Sequence, residues 1–163
     1  MLGDRWGVRA EEVSRRYPCD ELVGTPVLQA WRAVTVRAEP DRVWPWIGQI
    51  RLAPYSYDWI DNFGRRSPRQ LRGLPEPEPG EPFTTCGSRR LGRILSVTPA
   101  EQLTATIMGA VMTYTLAPEP AGTRLLLKVV LGRGRLYAPL VCLGDLVMAR
   151  RQLLTLARLA ERT

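Results

Sequence analysis

The chain has 163 residues, 45% of them hydrophobic, and a net charge of +7 that comes almost wholly from arginine, since Lys128 is its single lysine. Domains commonly span about 100–200 residues, so this length fits one domain, 1–163, with a core and a cavity beside it. The composition excludes a disordered chain. The longest apolar region, 136–149, is shorter than the ~20 residues that a bilayer requires. It also contains Pro139 and Asp145, so no transmembrane segment is predicted.

Three features favour the reducing cytoplasm as the compartment of this protein. The cysteines, Cys19, Cys86 and Cys142, are odd in number and far apart. They form no CxxC pair, so neither a disulfide framework nor a zinc site is predicted. The first residues, 1–6, hold no apolar stretch long enough for a signal peptide.

The first half of the chain predicts short elements in a fixed order. Residues 1–28 are interpreted as a lead-in with one short helix near 10–16, and the run 29–38 alternates like a β-strand. A helix is predicted to begin at Pro40, because proline is tolerated in a first turn, and to end near Ile50. A second short helix is predicted over 58–63 with Ser56 as its N-cap.

The segment 64–82 lacks apolar periodicity and contains four arginines followed by alternating prolines and glutamates. Loops of this length are uncommon inside compact domains and often act as lids or binding loops. A possible lid and a plain disordered insertion are therefore both hypotheses for 64–82.

The second half predicts a sheet and one long helix. Apolar and polar residues alternate through 103–107, 112–116 and 125–131, and a further strand is predicted over 89–97, which indicates an antiparallel sheet covered on one side only. Residues 136–162 predict a helix whose apolar stripe is Leu140, Leu143, Val147, Leu154 and Ala157. This helix is the expected cover for the sheet, so the fold class is α+β.

Several kinds of chemistry are excluded by residues that the sequence lacks. It contains no histidine, which removes the commonest general base and metal ligand. Neither GxGxxG after a strand nor GxxxxGK[ST] occurs, so dinucleotide and P-loop sites are not predicted. The acidic residues do not cluster, and we predict no metal and no cofactor.

Aromatic residues are concentrated between Trp44 and Phe63, where six fall within twenty positions. Tyrosine and tryptophan have apolar faces with one polar group, which suits a pocket that orients an apolar ligand. Filling of the core is the alternative, above all for Trp44 and Trp46. Tyr57 and Trp59 are favoured as pocket residues because they precede the 64–82 segment.

Asp145 is the acid inside an apolar helical run. If it is buried beside a cavity, its pKa is raised, it can donate or accept a proton, and an arginine or tyrosine partner is expected. Exposure to water is the alternative. Asp145 and Tyr57 are the catalytic candidates, and Asp58 and Tyr114 are further members of a possible proton relay.

Several segments together resemble the bacterial SRPBCC proteins, the START-like relatives of the birch pollen allergen that are often labelled polyketide cyclase/dehydrase or lipid-transport-like. The segments are Asp20–Val23, Ala33–Val36 with Pro40, Val43–Ile47 with Gln49, Tyr55–Trp59 and, near the end of the chain, Asp145–Met148, Arg150–Leu154 and Ala160–Glu161. The resemblance implies a helix-grip fold, in which a curved antiparallel sheet of about six or seven strands wraps around the long final helix. Two short helices follow the first strand, and a cavity lies between sheet and helix.

Two functions stay open at this point. One is binding of a small hydrophobic ligand, lipid- or polyketide-like, without catalysis, and the other is a polyketide cyclase or dehydratase that uses buried Tyr and Asp residues. Binding of nucleic acid by the basic surface is a remote alternative, because the arginines are scattered and no recognised motif accompanies them. The predicted pocket residues are Tyr55, Tyr57, Trp59, Ile107, Met112, Tyr114, Leu127, Leu143 and Val147.

Overall fold

A six-stranded mixed sheet and one long helix form the framework of the protein, as seen in a computed structural model that describes residues 2–163. Met1, which belongs to the N-terminal stretch considered for a signal peptide, lies outside the described residues. The strands of the sheet follow the order β1-β2-β8-β7-β6-β5. Their bounds are β1 Arg5–Trp6, β2 Leu28–Val36, β5 Arg93–Thr98, β6 Gln102–Ile107, β7 Ala110–Glu119 and β8 Gly122–Leu131.

The helices follow the predicted order. They are α1 Ala10–Ser14, α2 Pro40–Gly48, α3 Asp58–Asp61 and α4 Ala138–Arg162, with 3₁₀ turns at Pro18–Leu22 and Gln49–Arg51. Strands β3, Thr84–Cys86, and β4, Arg89–Leu91, form a separate two-stranded hairpin. The α+β class and the long C-terminal helix are confirmed, as are the short helices between the first long strand and the meander. Within residues 2–163, no helix combines the length and the apolar character needed to cross a membrane.

The sheet is mixed because β1 lies parallel to β2, whereas all the other neighbouring strands are antiparallel. The amide of Trp31 donates to the carbonyl of Asp4 at 2.7 Å and continues this short pairing. The sequence prediction placed no strand in the lead-in, because two residues carry no detectable alternation. The expectation of a wholly antiparallel sheet is therefore wrong at this edge.

The inner face of the sheet packs against α4, as the alternation predicted. Leu103, Leu125, Leu127 and Val129 point inward and belong to the same buried cluster as Leu153 and Leu156 of α4. Ile107 and Met112 are partly buried and pack against this cluster. Burying a leucine-sized side chain contributes ~1.5–3 kcal/mol, so this row supplies much of the stability of the fold.

The outer face of the sheet is covered too, which corrects the expectation of a one-sided sheet. A second buried cluster joins Tyr17 and Cys19 of the lead-in to Trp31, Leu126 and Val130 of the sheet. The amide of Cys19 donates to Thr113 Oγ1 at 3.1 Å. The lead-in is therefore a structural layer that covers the outer face of the sheet. The polar residues that alternate along β7 and β8 were wrongly interpreted as a sign that this face is exposed to solvent.

The charged side chains of this outer face pair with acids of the lead-in. Arg124 contacts both carboxylate oxygens of Glu12, at 2.6 and 2.9 Å, and both side chains are buried. Lys128 forms an ion pair with Asp20 and lies 4.9 Å from the ring centroid of Trp31. A buried charge is stable only when it is paired. Glu12 of α1 and Asp20 of the following turn therefore supply the counter-charges that Arg124 and Lys128 of β8 require.

The segment 64–82 contains no helix or strand, yet polar contacts tie it to α2 and the turn that follows. Trp44 Nε1 donates to Glu76 at 2.8 Å, and Gln49 contacts the backbone of both Gln70 and Arg72 at 3.0 and 2.8 Å. Arg51 adds an ion pair to Glu81 at 2.7 Å. These contacts give the segment a fixed path against α2.

The predicted apolar stripe of α4 is wrong in its first half. Leu140, Leu143 and Val147 are 74%, 43% and 52% exposed, whereas Cys142 and Ala149 face the sheet. The prediction followed the largest side chains. Small residues lie on the inner face because the helix approaches the strands closely there, and hydrophobicity alone does not reveal this requirement. Ala157 of the predicted stripe is buried.

Glu12→Ala should lower the free energy of unfolding by about 3–5 kcal/mol, because it leaves the Arg124 guanidinium buried without a counter-charge. Glu11→Ala is the matched control, since Glu11 belongs to the same helix but is exposed. This control should change stability by no more than about 0.5 kcal/mol. Urea unfolding at pH 7 measures both values, and equal losses would contradict the structural role of the pair.

The same pair predicts a pH dependence. Burial alone would raise the pKa of Glu12, but the hydrogen bonds and charge of Arg124, with the Arg9 amide, outweigh burial and hold it below its ordinary value of 4.5. The stabilisation is therefore present above pH 4.5 and is lost as the pH falls through the lower pKa of the folded state. The stability difference between native protein and Glu12→Ala should shrink with acidification in that window.

Candidate ligand-binding cavity

A cavity of about 290 Å³ lies between the inner face of the sheet and α4. Its side walls come from Pro54, Ser56 and Asp61 and from the β3–β4 hairpin. The apolar lining includes Phe83, Leu91, Ile107, Met112, Leu127 and Met148, and the polar lining is Ser56, Asp61, Thr84, Tyr114, Asp145 and Gln152. At ~30 Å³ for each liquid water, the space corresponds to roughly ten water molecules. This is the lower end of the ~300–1,000 Å³ that ligand pockets usually occupy.

Two surface hollows are larger, but they have the character of clefts beside arginines. One, of about 470 Å³, lies between Trp46, Arg69 and Arg162, and the other, of about 480 Å³, lies along Arg15, Arg16 and Leu116. Neither is bounded by both the sheet and α4. The smaller inner cavity is the better candidate, because apolar walls and a few convergent polar groups characterise ligand sites.

The structure brings part of the predicted pocket together. Ile107 at the end of β6, Met112 and Tyr114 on β7, Leu127 on β8 and Asp145 on α4 all line the cavity. The positions of the four strand residues follow from the strand alternation, because residues two apart on a strand point to the same face of the sheet. The meander therefore builds one wall of the cavity directly from its sequence pattern.

Five other predicted residues do not line this cavity. Tyr55 is buried in the core, where Gln49 Nε2 donates to its hydroxyl at 2.6 Å and Trp46 meets its ring edge-on. Tyr57 lies beneath the guanidinium of Arg151, 5.5 Å from the ring centroid. Trp59 is 75% exposed, and Leu143 and Val147 lie on the outer side of α4.

The local conformation of residues 55–58 explains these differences. Tyr55 has a positive φ of 56°, which turns the chain sharply and directs its ring into the core. Ser56, the predicted N-cap, instead donates to the carbonyl of Met148 at 3.0 Å, and Tyr57 occupies the N-cap position of α3. Ser56 therefore anchors the turn to α4 and does not cap the helix.

Segment 64–82 contributes no lining residue to the cavity, whose walls all come from other parts of the described chain. The segment packs instead against α2 and the Gln49–Arg51 turn, where Glu76 and Glu81 hold it to Trp44 and Arg51. In this conformation it does not act as a lid for the inner cavity.

Tyr114 and Gln152 form a satisfied polar pair inside the cavity. The Tyr114 hydroxyl donates to Gln152 Oε1 at 2.6 Å, and Gln152 Nε2 donates to the carbonyl of Pro54 at 2.7 Å. Burial and the nearby charge of Asp145 raise the pKa of Tyr114 well above its ordinary value. The phenol is therefore neutral at physiological pH and fixes the position of α4 relative to β7.

Asp145 is partly buried beside the cavity, with its side chain 19% exposed, and it has the arginine partner that was expected for a buried acid. Its Oδ2 lies 2.9 Å from Arg32 Nη2, and the Arg32 side chain is fully buried. Arg32 Nη1 also donates to the carbonyls of Asp4 and Trp31, at 2.8 and 2.9 Å. Burial raises the pKa of Asp145, and the guanidinium offsets only part of that effect.

Asp61 is the functional candidate that the sequence analysis missed. Its carboxylate lines the cavity at the end of α3, and Oδ1 is buried without a hydrogen-bond partner. Burial, together with the charge of Asp58, raises the pKa of Asp61 to about 6, although its own backbone amide and Ser56 act against this rise. A usable signal was present, because Asp61 lies within the aromatic segment, directly after Trp59 and Ile60.

Asp58, named for a possible relay, has a structural role instead. It accepts hydrogen bonds from the amide and hydroxyl of Ser67, at 2.9 and 2.5 Å, and so connects α3 to the start of the 64–82 segment. It does not line the cavity. Two acids, Asp61 and Asp145, therefore face the cavity, and acids with raised pKa values can transfer protons near neutral pH. In residues 2–163 no group of three or more acidic or cysteine side chains could hold a metal ion.

Asp145→Asn should lower the free energy of unfolding, because it leaves the Arg32 guanidinium buried without a counter-charge, although relief of the carboxylate, whose pKa is raised by burial, offsets part of the loss. Asp41→Asn, the same change at an exposed position in the first turn of α2, should cost at most about 1 kcal/mol. The double variant Arg32→Met/Asp145→Leu should recover most of the loss, since apolar pairs often replace buried ion pairs without penalty. Thermal and urea unfolding at pH 7 check the series, and an Asp145→Asn variant as stable as Asp41→Asn would contradict it.

No protein-family model matches this sequence, and a search of curated proteins finds no match. Solved structures, however, share its fold over most of the chain. A protein of Mesorhizobium loti is similar with a TM-score of 0.59 at 18% identity, covering 83% of this chain and 98% of that one.

Two further solved structures have informative descriptions. An AHSA1-like protein of Aeromonas hydrophila matches with a TM-score of 0.50 at 14% identity, covering 83% of this chain and 93% of its own. A Polyketide_cyc-like protein of Corynebacterium glutamicum matches with a TM-score of 0.50 at 13% identity, covering 85% and 94%. The chain therefore has the α+β helix-grip fold that these bacterial proteins share, which confirms the fold that the sequence resemblance implied.

Proposed function

We propose that this protein binds one small, mostly apolar molecule in the cavity between its sheet and α4, and that it does so without catalysis. The observation that carries the proposal is the lining itself. Side chains from β6, β7, β8 and α4 converge on the cavity, and most of them are apolar. Burial of apolar ligand surface is the main source of affinity in such sites.

The volume limits the ligand. About 290 Å³ corresponds to on the order of ten non-hydrogen atoms, so the space matches a mono- or bicyclic molecule. Met108, which is 90% exposed and also lines the cavity, lies at its mouth. Within the lipid- or polyketide-like range suggested by the sequence, compact ring systems are thus the better match.

The test uses 2-naphthalenemethanol, a neutral bicyclic probe, and a variant that fills the cavity. Met112→Trp adds a bulky ring to the cavity wall and should weaken binding of the probe ~10-fold or more, because the ligand and the indole compete for the same space. Leu95→Trp is the matched control, since Leu95 lies on β5 outside the cavity lining. Its affinity for the probe should equal that of the native protein by calorimetry or fluorescence.

Both variants must retain a cooperative melt for the comparison to hold, and circular dichroism against temperature provides that check. If the probe binds the Met112→Trp and native proteins equally well, the ligand site is elsewhere and the proposal is wrong. If the probe does not bind the native protein even at millimolar concentration, the cavity is not a binding site for molecules of this class.

Catalysis is the second candidate function, and one observation favours it. Asp61 and Asp145 both line the cavity and have raised pKa values, as a general acid or base near neutral pH requires. A chain of similar fold, the Corynebacterium glutamicum protein, is described as Polyketide_cyc-like. Asp145 is committed to Arg32, so Asp61 is the better candidate for the proton-transfer group.

A synthetic poly-β-ketone thioester tests this second function. The carrier proposal expects no cyclised or dehydrated product beyond the rate in buffer, measured by chromatography over several hours. If the native protein forms product faster than buffer does, and Asp61→Asn reduces that rate ~10²-fold, the protein is an enzyme and the proposal of binding without catalysis is wrong. Asp41→Asn again serves as the control, because it makes the same substitution on the surface.

A further inference from the structure

We infer that the ligand of this cavity has a polar end that donates a hydrogen bond, with a protonated amine as the best match, and that the carboxylate of Asp61 accepts it. This inference rests on the proposed binding function and specifies its ligand class. It stands on the hydrogen-bonding state of each polar group around the cavity.

Most polar groups of the lining are already satisfied within the protein. Ser56 donates to the carbonyl of Met148, and Tyr114 and Gln152 bond to each other and to Pro54. Asp145 is paired with Arg32. A ligand gains little by competing with these contacts, because breaking a buried hydrogen bond leaves a polar group unsatisfied.

Three lining oxygens are buried without a hydrogen-bond partner among the described residues, namely Asp61 Oδ1, Thr84 Oγ1 and Asp145 Oδ2. Asp145 Oδ2 has an ion-pair partner in Arg32, so Asp61 Oδ1 and Thr84 Oγ1 are the two that lack any compensating contact. An ionised carboxylate only accepts hydrogen bonds, and a hydroxyl donates or accepts. Buried polar atoms of folded proteins are nearly always bonded to protein, water or ligand. The ionised Asp61 offers only an acceptor and the Thr84 hydroxyl offers either, so a ligand that brings hydrogen-bond donors satisfies both atoms.

The charge of the cavity points the same way. Arg32 neutralises Asp145, whereas the groups around Asp61 that shift its pKa include the like charge of Asp58 and no basic side chain. The cavity is thus net negative although the chain has a net charge of +7. A ligand carboxylate would face Asp61 across an apolar space, where like charges repel strongly, and a protonated amine would be attracted.

Three naphthalene probes that differ only at the polar end test the inference: 2-naphthylmethylamine, 2-naphthalenemethanol and 2-naphthoate. Each has about a dozen non-hydrogen atoms, close to the capacity of the cavity. At pH 7.5 the native protein should bind the amine at least ~10-fold more tightly than the carboxylate, with the alcohol between them. Calorimetric titration gives the three dissociation constants.

Asp61→Asn removes the charge and keeps the shape. The variant should bind the amine ~10-fold or more weakly than the native protein does. Its affinity for the alcohol should change less than ~3-fold, and its affinity for the carboxylate should rise. The variant is expected to fold, because the native carboxylate is disfavoured by its own burial. Asp41→Asn, which makes the same change on the surface, should leave all three affinities as they are.

A pH titration separates Asp61 from its neighbours, which are Asp58 on the same helix, Cys86 of the hairpin and the Arg32–Asp145 pair on β2 and α4. Lowering the pH from 7.5 to 5 crosses the Asp61 pKa of about 6, so protonation should weaken the amine about tenfold. Asp61→Asn should abolish this pH dependence. If the dependence persists in the variant, another group holds the ligand and the assignment to Asp61 is wrong.

The outcomes distinguish the inference from the proposed function. If all three probes bind, are displaced by Met112→Trp, and the carboxylate binds as well as the amine, the cavity binds ligands but the donor inference is wrong. If no probe is sensitive to Met112→Trp, the binding function itself fails and the inference fails with it. An amine affinity unchanged in Asp61→Asn also overturns the inference.

Discussion

The buried guanidinium of Arg32 is the constraint on which the arrangement of sheet and helix depends. A fully buried charge is tolerated only with a counter-charge and with most of its donors bonded, and Nε is the single donor of Arg32 that has no hydrogen-bond partner among the described residues. Arg32 lies on the central part of β2 and is 0% exposed, so its partners must come from whatever packs on the inner face. Asp145 of α4 supplies the charge, and the carbonyls of Asp4 and Trp31 accept from the same side chain. One residue thereby ties the N-terminal strand and the first half of α4 to the sheet.

This constraint also explains where the cavity lies. The first half of α4 presents Ala138 and Cys142 to the interior, and such small side chains allow the close approach that the Arg32–Asp145 pair needs. The second half packs through Leu153 and Leu156 and leaves no comparable space. Between these two regions, Ser56 and Pro54 contact Met148 and Gln152 of α4, and the apolar residues of the meander line the cavity there.

The sequence predicted what depends on strand alternation and missed what depends on tertiary pairing. The inward positions of Met112, Tyr114 and Leu127 follow from a period of two, which holds wherever a strand forms. Hydrophobicity alone did not predict which face of α4 packs against the sheet. In the first half of the helix, the Arg32–Asp145 ion pair and small residues occupy the inner face, and Leu140 and Leu143 are exposed. The covered outer face was missed for the same reason: Arg124 and Lys128 look solvent-facing until Glu12 and Asp20, more than a hundred positions away, are brought to them. Asp61 depended on a four-residue helix whose orientation no local pattern specifies.

The two kinds of buried carboxylate have different consequences. Glu12 is saturated by Arg124 and the Arg9 amide, so its pKa is lowered and its ionisation stabilises the fold. Asp61 lacks such partners and has a raised pKa, so its ionisation opposes folding. A residue that weakens the folded state without contributing to packing is typical of a functional site, where stability is lost in return for binding or reactivity. Asp61 faces a mostly apolar cavity, whereas Glu12 and Asp20 face Arg124 and Lys128, and this difference separates the proposed binding site from the framework of the fold.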